Sequence, residues 1–360
     1  MKAIKTLILM LAAAATVQAQ TVTKLSASKA NDYGLVYSLP TTVVDVTIET
    51  EHVLREPGEF SNYARRYMNL DNAIRNTEQA ARVKSVTLTP RGVATSDAEK
   101  WLMQFKGGDA TYVVMNDADL PIAINTEDIP AQDAVVLPQP QDAAPTPLEV
   151  PAARQAVTQE MSQSSSTAKR AELAAQRIFE LRESRNELIS GQADNTPPDG
   201  KSLQLALDNL TAQEAALTAM FAGTEKTWTQ VETRTYTIPT EDVKNFVLAR
   251  VSATEGVVPA DDLSGEPIYI SVAVDSRGEL PPDEKGESRK FPRGGVAYTI
   301  PGSATVTVST ADEALAVKRM DVAQLGITFG LDPKLFTSKK APAFLLLDPT
   351  TGGIATLGTK

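Results

Sequence analysis

The spacing of apolar side chains changes twice along this chain, and this change limits the folds that the chain can adopt. Apolar and polar residues alternate over residues 42–49 and 227–238, which is typical of half-buried strands. Between these segments, residues 152–190 and 203–221 have apolar residues at steps of three and four, as amphipathic helices do. We therefore predict an α+β fold, in which β-rich units, sandwich-like or small sheets, flank a helical unit.

The helical unit consists of two apolar stripes separated by the segment TPPDG at residues 196–200. Because proline and glycine end helices, we predict an antiparallel helical hairpin over residues 152–223. In that pairing Glu214 lies level with Arg177, which predicts an ion pair between them. The stripes are Ala171, Ala174, Ile178, Leu181, Arg185 and Leu188 in the first helix, and Leu203, Leu207, Leu210, Glu214, Leu217 and Phe221 in the second.

The rest of the chain divides by composition into β-rich segments and a linker. Residues 20–128 form a predicted N-terminal β-rich domain with one short helix at 59–68, whose apolar face carries Phe60, Tyr63, Ala64 and Tyr67. Residues 129–151 are rich in proline and predict an extended, mostly unstructured linker. Residues 224–360 form a predicted C-terminal β-rich domain. Within it, residues 317–330 fit either a strand or a helix. The predicted strands are 83–88, 112–115, 122–124, 246–251, 267–274, 297–300, 304–308, 327–329 and 344–347.

The first nineteen residues have the pattern of a cleavable signal peptide. Lys2 and Lys5 precede an uncharged apolar run at residues 6–15, and Val17 and Ala19 fit the small residues of a cleavage site. We therefore expect an exported protein of the periplasm, or a secreted or outer-envelope protein, that starts at Gln20. The chain contains no cysteine, which excludes disulfides and a lipid anchor on a cysteine. No later segment predicts a transmembrane helix.

The charge balance argues against two classes of partner. The net charge is −10, whereas nucleic acids and anionic lipid surfaces attract clustered Lys and Arg. Aromatic residues make up only 5%, which gives weak support for stacking on sugars. Trp101 and Trp228 are each isolated in the sequence and fit core or half-buried strand positions.

The sequence contains no recognisable catalytic or metal-binding constellation. His52 is the only histidine, and we interpret it as an ordinary residue at a strand end or on the surface. A zinc site would need three carboxylates besides this histidine. Residues 116–119, with Asn116, Asp117 and Asp119, are the best calcium candidate, but a solvated turn fits them better. The acidic pairs at 261–262 and 283–284 fit charged loops. We predict no catalytic, cofactor-binding or metal-binding residue and no cofactor.

Several short motifs are spread along the chain. They are PGEFSNYARRYM at 57–68, then IFELR at 178–182, LISG at 188–191, PDG at 198–200 and FAGT at 221–224 within the helical unit, and GITFGL at 326–331 and DPTTG at 348–352. Together these motifs resemble an uncharacterised family of exported proteins from Bacteroides-type bacteria, the domain of unknown function four-eight-three-one. The resemblance implies an envelope setting and a hairpin between β units, over nearly the whole chain after residue 19. It implies no activity.

Three functions remain open at this point. The sequence favours a non-enzymatic envelope protein that binds a partner protein or supports an assembly, because the catalytic constellation is missing and the hairpin offers a docking surface. The alternatives are a glycan hydrolase that uses two carboxylates, and a protein that binds glycans without cleaving them. A deep cleft with two acids of raised pKa would favour the hydrolase, and an exposed Trp or Tyr in a shallow groove would favour glycan binding.

Overall fold

The computed structural model describes residues 35–103, 111–131, 135–195, 200–280, 282, 289–292, 294–338 and 340–359. These residues form a β-rich structure with several antiparallel sheets and a few helices. The strands are β1 Leu35–Ser38, β2 Thr41–Glu56, β3 Glu78–Val93, β4 Lys100–Met103, β5 Val113–Met115, β6 Pro121–Ile124, β7 Thr224–Thr237, β8 Val243–Ser252, β9 Gly256–Val258, β10 Glu266–Ser276, β11 Val296–Ser309, β12 Ala314–Leu331, β13 Ala343–Leu347 and β14 Ile354–Thr359. The helices are α1 Ala64–Met68, α2 Pro151–Ala156, α3 Gln159–Gln163, α4 Thr167–Ser190 and α5 Gly200–Ala222.

Two sheets share the largest core. One has the order β3-β2-β7 and the other the order β12-β11-β10-β8-β9. The alternation in β2 places Val44, Val46 and Ile48 on one face, where they are fully buried against residues of the second sheet such as Ile270 and Val306. Each of these buried side chains contributes roughly 1.5–3 kcal/mol of transfer free energy, so this packing holds the two sheets together.

Strands from the two β-rich segments pair with one another. The central strand β2 pairs with β3 on one side and with β7 on the other, from Val43–Thr237 to Glu56–Thr224. A four-stranded sheet also combines strands from both β-rich segments. Its order is β14-β13-β6-β5, and Leu345 of β13 lies opposite Ile124 of β6. Residues 20–128 and 224–360 therefore contribute strands to the same sheets.

A second core lies between this mixed sheet and the strand pair β1-β4. It buries Tyr37, Met103, Ile124, Phe336 and Leu345, together with the start of β11. The hydroxyl of Tyr37 accepts a hydrogen bond from the amide of Ala297 and donates one to its carbonyl, at 2.6 and 3.0 Å. Burial raises the pKa of Tyr37 well above its ordinary range, so this hydroxyl stays protonated and keeps its proton to donate.

The helix predicted over 152–190 is divided into three. Val157 and Ser164 adopt extended backbone conformations, and the next helices begin with Thr158 and Ser166 as N-caps. The side chain of Thr158 accepts a hydrogen bond from the amide of Met161, and that of Ser166 accepts one from Lys169. Because such hydroxyls compete with the helical ladder, α2, α3 and α4 are separate helices.

Other elements differ from the prediction mainly in length. The predicted helix at 59–68 is a short 3-10 turn followed by α1, which ends at Asn69 in the left-handed region. The two strands predicted at 297–300 and 304–308 form one strand, β11, which pairs along β12. Residues 317–330 are strand, since they belong to β12. The short strands β1, β4, β9 and β14 were not predicted, because they are too brief to show a period.

The proline-rich linker is extended, but parts of it are fixed to β7. Gln141 forms a backbone bridge with Thr229, and the Lys226 ammonium lies 2.6 Å from a carboxylate oxygen of Glu149. The hydrogen bond from Lys226, with further hydrogen bonds from Thr146, lowers the pKa of Glu149 to about 2. The segment around Thr146 therefore follows one edge of the three-stranded sheet.

A polar node ties three sheets together beside Thr42. The side chain of Gln324 in β12 accepts a hydrogen bond from the Thr42 amide at 2.9 Å and donates to the carbonyls of Thr42 and Ile238, both at 2.8 Å. The Thr42 hydroxyl donates to the carbonyl of Thr350, in the turn that joins β13 to β14. Satisfied polar groups of this kind fix how the sheets sit against each other.

We expect the substitution Gln324→Leu to lower the free energy of unfolding by about 2–3 kcal/mol, because it removes the three hydrogen bonds that the Gln324 side chain makes with the backbone of Thr42 and Ile238. Chemical denaturation of the purified chain measures this. The control is Gln230→Leu at an exposed position of β7, which should change stability by less than about 0.5 kcal/mol. Equal effects of the two substitutions would show that the node contributes no specific stability.

Candidate functional site

The C-terminal end of α5 is anchored beside the end of β2. A tilted pair of buried rings, Phe60 and Phe221, joins the 3-10 turn after β2 to the end of α5, with ring centroids 5.3 Å apart. The amide of Phe60 donates to the carbonyl of Met220 at 2.7 Å. A Cβ atom at Gly58 would overlap that same carbonyl oxygen, so the close approach requires glycine. The C-terminal end of α5 is thereby fixed beside the end of β2.

A charged cluster lies where α4 and α5 pack against each other. Glu214 accepts hydrogen bonds from Arg182 at 2.6 Å and from Arg185 at 2.5 Å, and its side chain is 14% exposed. The ion pair predicted between Arg177 and Glu214 is wrong, because Arg177 donates to Glu180 on its own helix. Polar residues therefore continue the contact between the two helices beyond the last buried apolar position of α4.

The described residues of the helical unit between Arg182 and Gln213 include no buried residue. We define the distal region as residues 182–195 and 200–213. The last buried residue of α4 is Leu181 and the first buried residue of α5 is Ala216. The nine residues of α4 after Leu181 rise roughly 13 Å along the helix axis. Over this length the side chains of both helices are exposed or half-buried.

Large apolar side chains are exposed within and next to the distal region. Ile189 is 65% exposed, Leu205 is 71% exposed, and Phe179 beside the region is 54% exposed. The guanidinium of Arg182 lies over the Phe179 ring, 5.7 Å from its centroid. An open hollow of about 570 Å³ adjoins this ring, and its lining is otherwise polar. It is lined by Phe179, Arg182, Glu183, Asn186, Glu187, Ser190 and Gln192.

The single histidine is buried, so its prediction as a strand-end or surface residue is wrong. His52 lies within β2, is 2% exposed and stacks on Trp228 of β7 with ring centroids 5.1 Å apart. Its Nε2 atom is 3.0 Å from the Thr50 hydroxyl. Gly256 leaves room for the ring, since a Cβ atom there would meet it. Burial lowers the pKa of His52, which favours the neutral ring.

The acidic segments considered as metal sites are occupied by turn contacts. The Asn116 side-chain oxygen accepts hydrogen bonds from the amides of Ala118 and Leu120, both at 3.0 Å, which closes the turn between β5 and β6. Asp262 accepts a hydrogen bond from the Ser264 amide, and hydrogen bonds from Ser264 lower the pKa of Asp262. The pair at 283–284 lies outside the described residues. Within the described ranges, no three His, Asp or Glu side chains converge to hold a metal ion.

A family model described as "Domain of unknown function (DUF4831)" matches residues 33–355. The chain belongs to this family. A search of curated proteins and a search of solved structures each returned no match. Among the helices of the described residues, none combines the length and the apolar character needed to cross a membrane.

Two of the motifs that resemble DUF4831, those at 57–68 and 348–352, make contacts that hold the fold together. Gly58 permits the contact between β2 and α5. In DPTTG, the Asp348 carboxylate accepts hydrogen bonds from the Thr350 amide at 2.8 Å and the Thr351 hydroxyl at 2.9 Å. Gly352 completes this turn with φ of +70°, a conformation that favours glycine. These two motifs are therefore structural, whereas the motif LISG at 188–191 lies in the distal region and includes the exposed Ile189.

Sequence reasoning identified the helical unit but missed its exposed apolar residues. Phe179 directly follows Ile178 of the core stripe, and Ile189 directly follows Leu188. An apolar residue that falls outside the stripe of an amphipathic helix faces away from the core, and this position was the available signal.

We expect Glu214→Ala to lower the free energy of unfolding by about 1–2 kcal/mol, because two partly buried guanidinium groups lose their shared carboxylate. Chemical denaturation measures the change. The matched control is Glu180→Ala, which breaks an exposed pair with Arg177 and should cost less than about 0.5 kcal/mol. Equal losses in both variants would contradict a special role for Glu214.

We expect the stability of the protein to fall as the pH decreases from about 7 to about 5.5. Because the folded pKa of His52 lies below the ordinary value of about 6.5, the unfolded chain binds the proton first and is favoured at lower pH. His52 is the only histidine, so His52→Phe should remove this dependence while keeping a ring against Trp228. Denaturation midpoints at both pH values test this, and an unchanged slope in the variant would refute it.

Proposed function

We propose that this DUF4831 protein is an exported cell-envelope protein that acts without catalysis, as a binding or scaffold component. It docks a partner protein through the distal region of its helices. One observation carries the proposal: residues 182–195 and 200–213 include no buried residue, yet Ile189 and Leu205 within them are exposed apolar side chains. Exposed apolar groups on such an extension are suited to binding another protein.

The second part of the proposal concerns the shape of the helical unit, an antiparallel hairpin over residues 152–223. It is supported by contacts at two levels along the helices. Ala171 near the start of α4 shares a core with Phe221 near the end of α5. Farther along, Arg182 and Arg185 of α4 bind Glu214 of α5. A hairpin held at both levels is stiff, which lowers the entropy cost of docking.

The envelope setting rests on the sequence of residues 1–19, which lie outside the described residues. Their two lysines, apolar run and small residues predict a signal peptide and release of the chain after export. The net charge of −10 and the absence of cysteine are compatible with a protein that binds neither nucleic acid nor anionic lipid and carries no lipid on cysteine.

The glycan hydrolase has less support than the binding protein. A general acid requires a raised pKa. Hydrogen bonds from Lys84 and Ser85 instead lower the pKa of Glu49. One hollow that is lined by several acids is open and has a volume of about 510 Å³. Its lining includes Glu51 and Glu225. These carboxylates pair with Arg82 and Arg55, each at 2.7 Å from the arginine Nε atom.

Glycan binding without cleavage also has less support. Its predicted mark is a Trp or Tyr ring exposed in a shallow groove. Trp228 stacks on His52, and Trp101 stacks on Phe291 with ring centroids 5.4 Å apart. These faces of the two indole rings are therefore occupied by other rings of the same chain.

Site-specific crosslinking in cells tests the docking surface. Because the chain lacks cysteine, Ile189→Cys and Leu205→Cys each introduce a single thiol in the distal region. We expect a thiol-reactive crosslinker to join both variants to the same partner protein, identified by mass spectrometry. The control is Leu263→Cys, which is 81% exposed in the loop between β9 and β10 and should not capture that partner.

A second variant tests whether the side chains themselves bind. Ile189→Lys with Leu205→Lys should abolish co-purification of the captured protein without changing thermal stability, because both residues are exposed. The proposed function would be overturned if no other protein co-purified with the chain, or if Leu263→Cys captured the partner equally well. Cleavage of glycans by the purified protein would establish the hydrolase instead.

A further inference from the structure

The C-terminal strand β14 has an open edge. It pairs with β13 from Ala343–Thr359 to Leu347–Ile354 and is the outermost strand of its sheet. Among the described residues, no hydrogen bond outside this ladder reaches Ile354–Thr359. Alternate amide and carbonyl groups of β14 therefore point away from the sheet. An unpaired edge of this kind can accept a further strand.

This edge lacks the charges that protect other long edges of the molecule. The edge strand β3 carries Arg82, β7 carries Arg234 and β12 carries Lys318, and charged residues on an edge discourage pairing with other chains. The sequence of β14 is IATLGT, without charge and without proline. Its six residues span about 20 Å, which is the usual length of one strand.

The side chains of β14 leave apolar surface uncovered on the side of the core. Ile354 and Leu357 lie opposite the buried residues Leu347 and Leu345 of β13, so they project from the same face of the sheet. Ile354 is nevertheless 37% exposed and Leu357 is 45% exposed. The next strand in the sheet would cover both.

An apolar groove also borders this strand. It has a volume of about 560 Å³ and meets β14 at Ala355. Its other walls come from the linker and from the strands β6 and β13. They include Ile122, Ile129, Pro130, Leu346 and Pro349. Side chains of an added segment can therefore contact apolar surface beyond the edge itself.

We propose that the β14 edge binds an extended, uncharged segment of a partner protein, which adds as a further strand of the sheet. Backbone groups of Ile354–Thr359 pair with the segment, and its alternate apolar side chains contact Leu357 and the groove. The open backbone selects an extended occupant, and a charged side chain that covered Leu357 or the apolar groove would lose its hydration without gaining a partner. This site is separate from the helical unit, so either proposal can fail without the other.

A second copy of the chain fits the edge less well. Each copy carries a net charge of −10, so two copies repel one another. A strand of six residues also provides little of the roughly 800 Å² per partner that stable complexes bury. A flexible segment of another protein avoids both limits. It does not carry this net charge, and it can bury surface in the groove as well as along the edge.

Disulfide capture of a model strand tests the proposal. The probe is a capped peptide of alternating threonine and valine whose terminal cysteine is a mixed disulfide with 2-thiopyridine, so that the protein thiolate attacks the cysteine sulfur and releases thiopyridine. Thr359→Cys places the only protein thiol at the end of β14, and Val317→Cys places one on the charged edge strand β12 as a matched control. Because binding raises the local peptide concentration, we expect about tenfold faster capture at position 359, read by intact mass.

Two further comparisons separate strand addition from unspecific contact. A fully N-methylated version of the peptide cannot pair with the edge and should lose the tenfold preference. The substitution Leu357→Lys together with Thr359→Cys should also lose it, because it adds a charge to the edge. Equal capture at both positions, or capture that survives N-methylation, would overturn the proposal. So would a dimer in sedimentation that Leu357→Lys dissociates, since a second copy would then be the occupant.

Discussion

The antiparallel ladder between β2 and β7 is the interaction on which the rest of this structure depends. It joins strands that are separated in sequence by the strands β3 to β6 and by the helical unit, and its last pair is Glu56–Thr224. Because α5 ends directly before Thr224, the ladder fixes the end of α5 beside Phe60. The helical unit therefore lies in the chain between strands of the β-rich structure, and its C-terminal end returns to β2. Closing so long a loop costs entropy, which the buried face of β2 offsets.

The family motifs provide the close contacts that this arrangement needs. Gly58 brings the chain after β2 against the carbonyls of α5. In the Asp348 turn, the Gly352 carbonyl accepts a hydrogen bond from the amide of Thr299, and the Thr350 carbonyl accepts one from the hydroxyl of Thr42. Both motifs thus join elements that are distant in sequence.

The two proposed surfaces use different physical chemistry. The distal region presents side chains, and its selectivity depends on where Ile189 and Leu205 meet apolar groups of a partner. The β14 edge presents backbone groups, so it reads the conformation of a segment more than its sequence. They lie on parts of the chain held by separate cores, since β13 belongs to the Tyr37 core and α5 to the Phe60 core. A protein with both surfaces can hold two partners at once.

The sequence by itself determined the β-rich class and the positions of α5 and most long strands, because side-chain period reports local structure directly. It placed Phe60 and Leu181 correctly in a core. Only the tertiary structure decided that β2 pairs with β7, since pairing between distant segments leaves no mark in local period. The burial of His52 likewise depends on Trp228 from a remote strand. The open edge of β14 is also a tertiary property, because an edge is defined by the strand that is missing beside it.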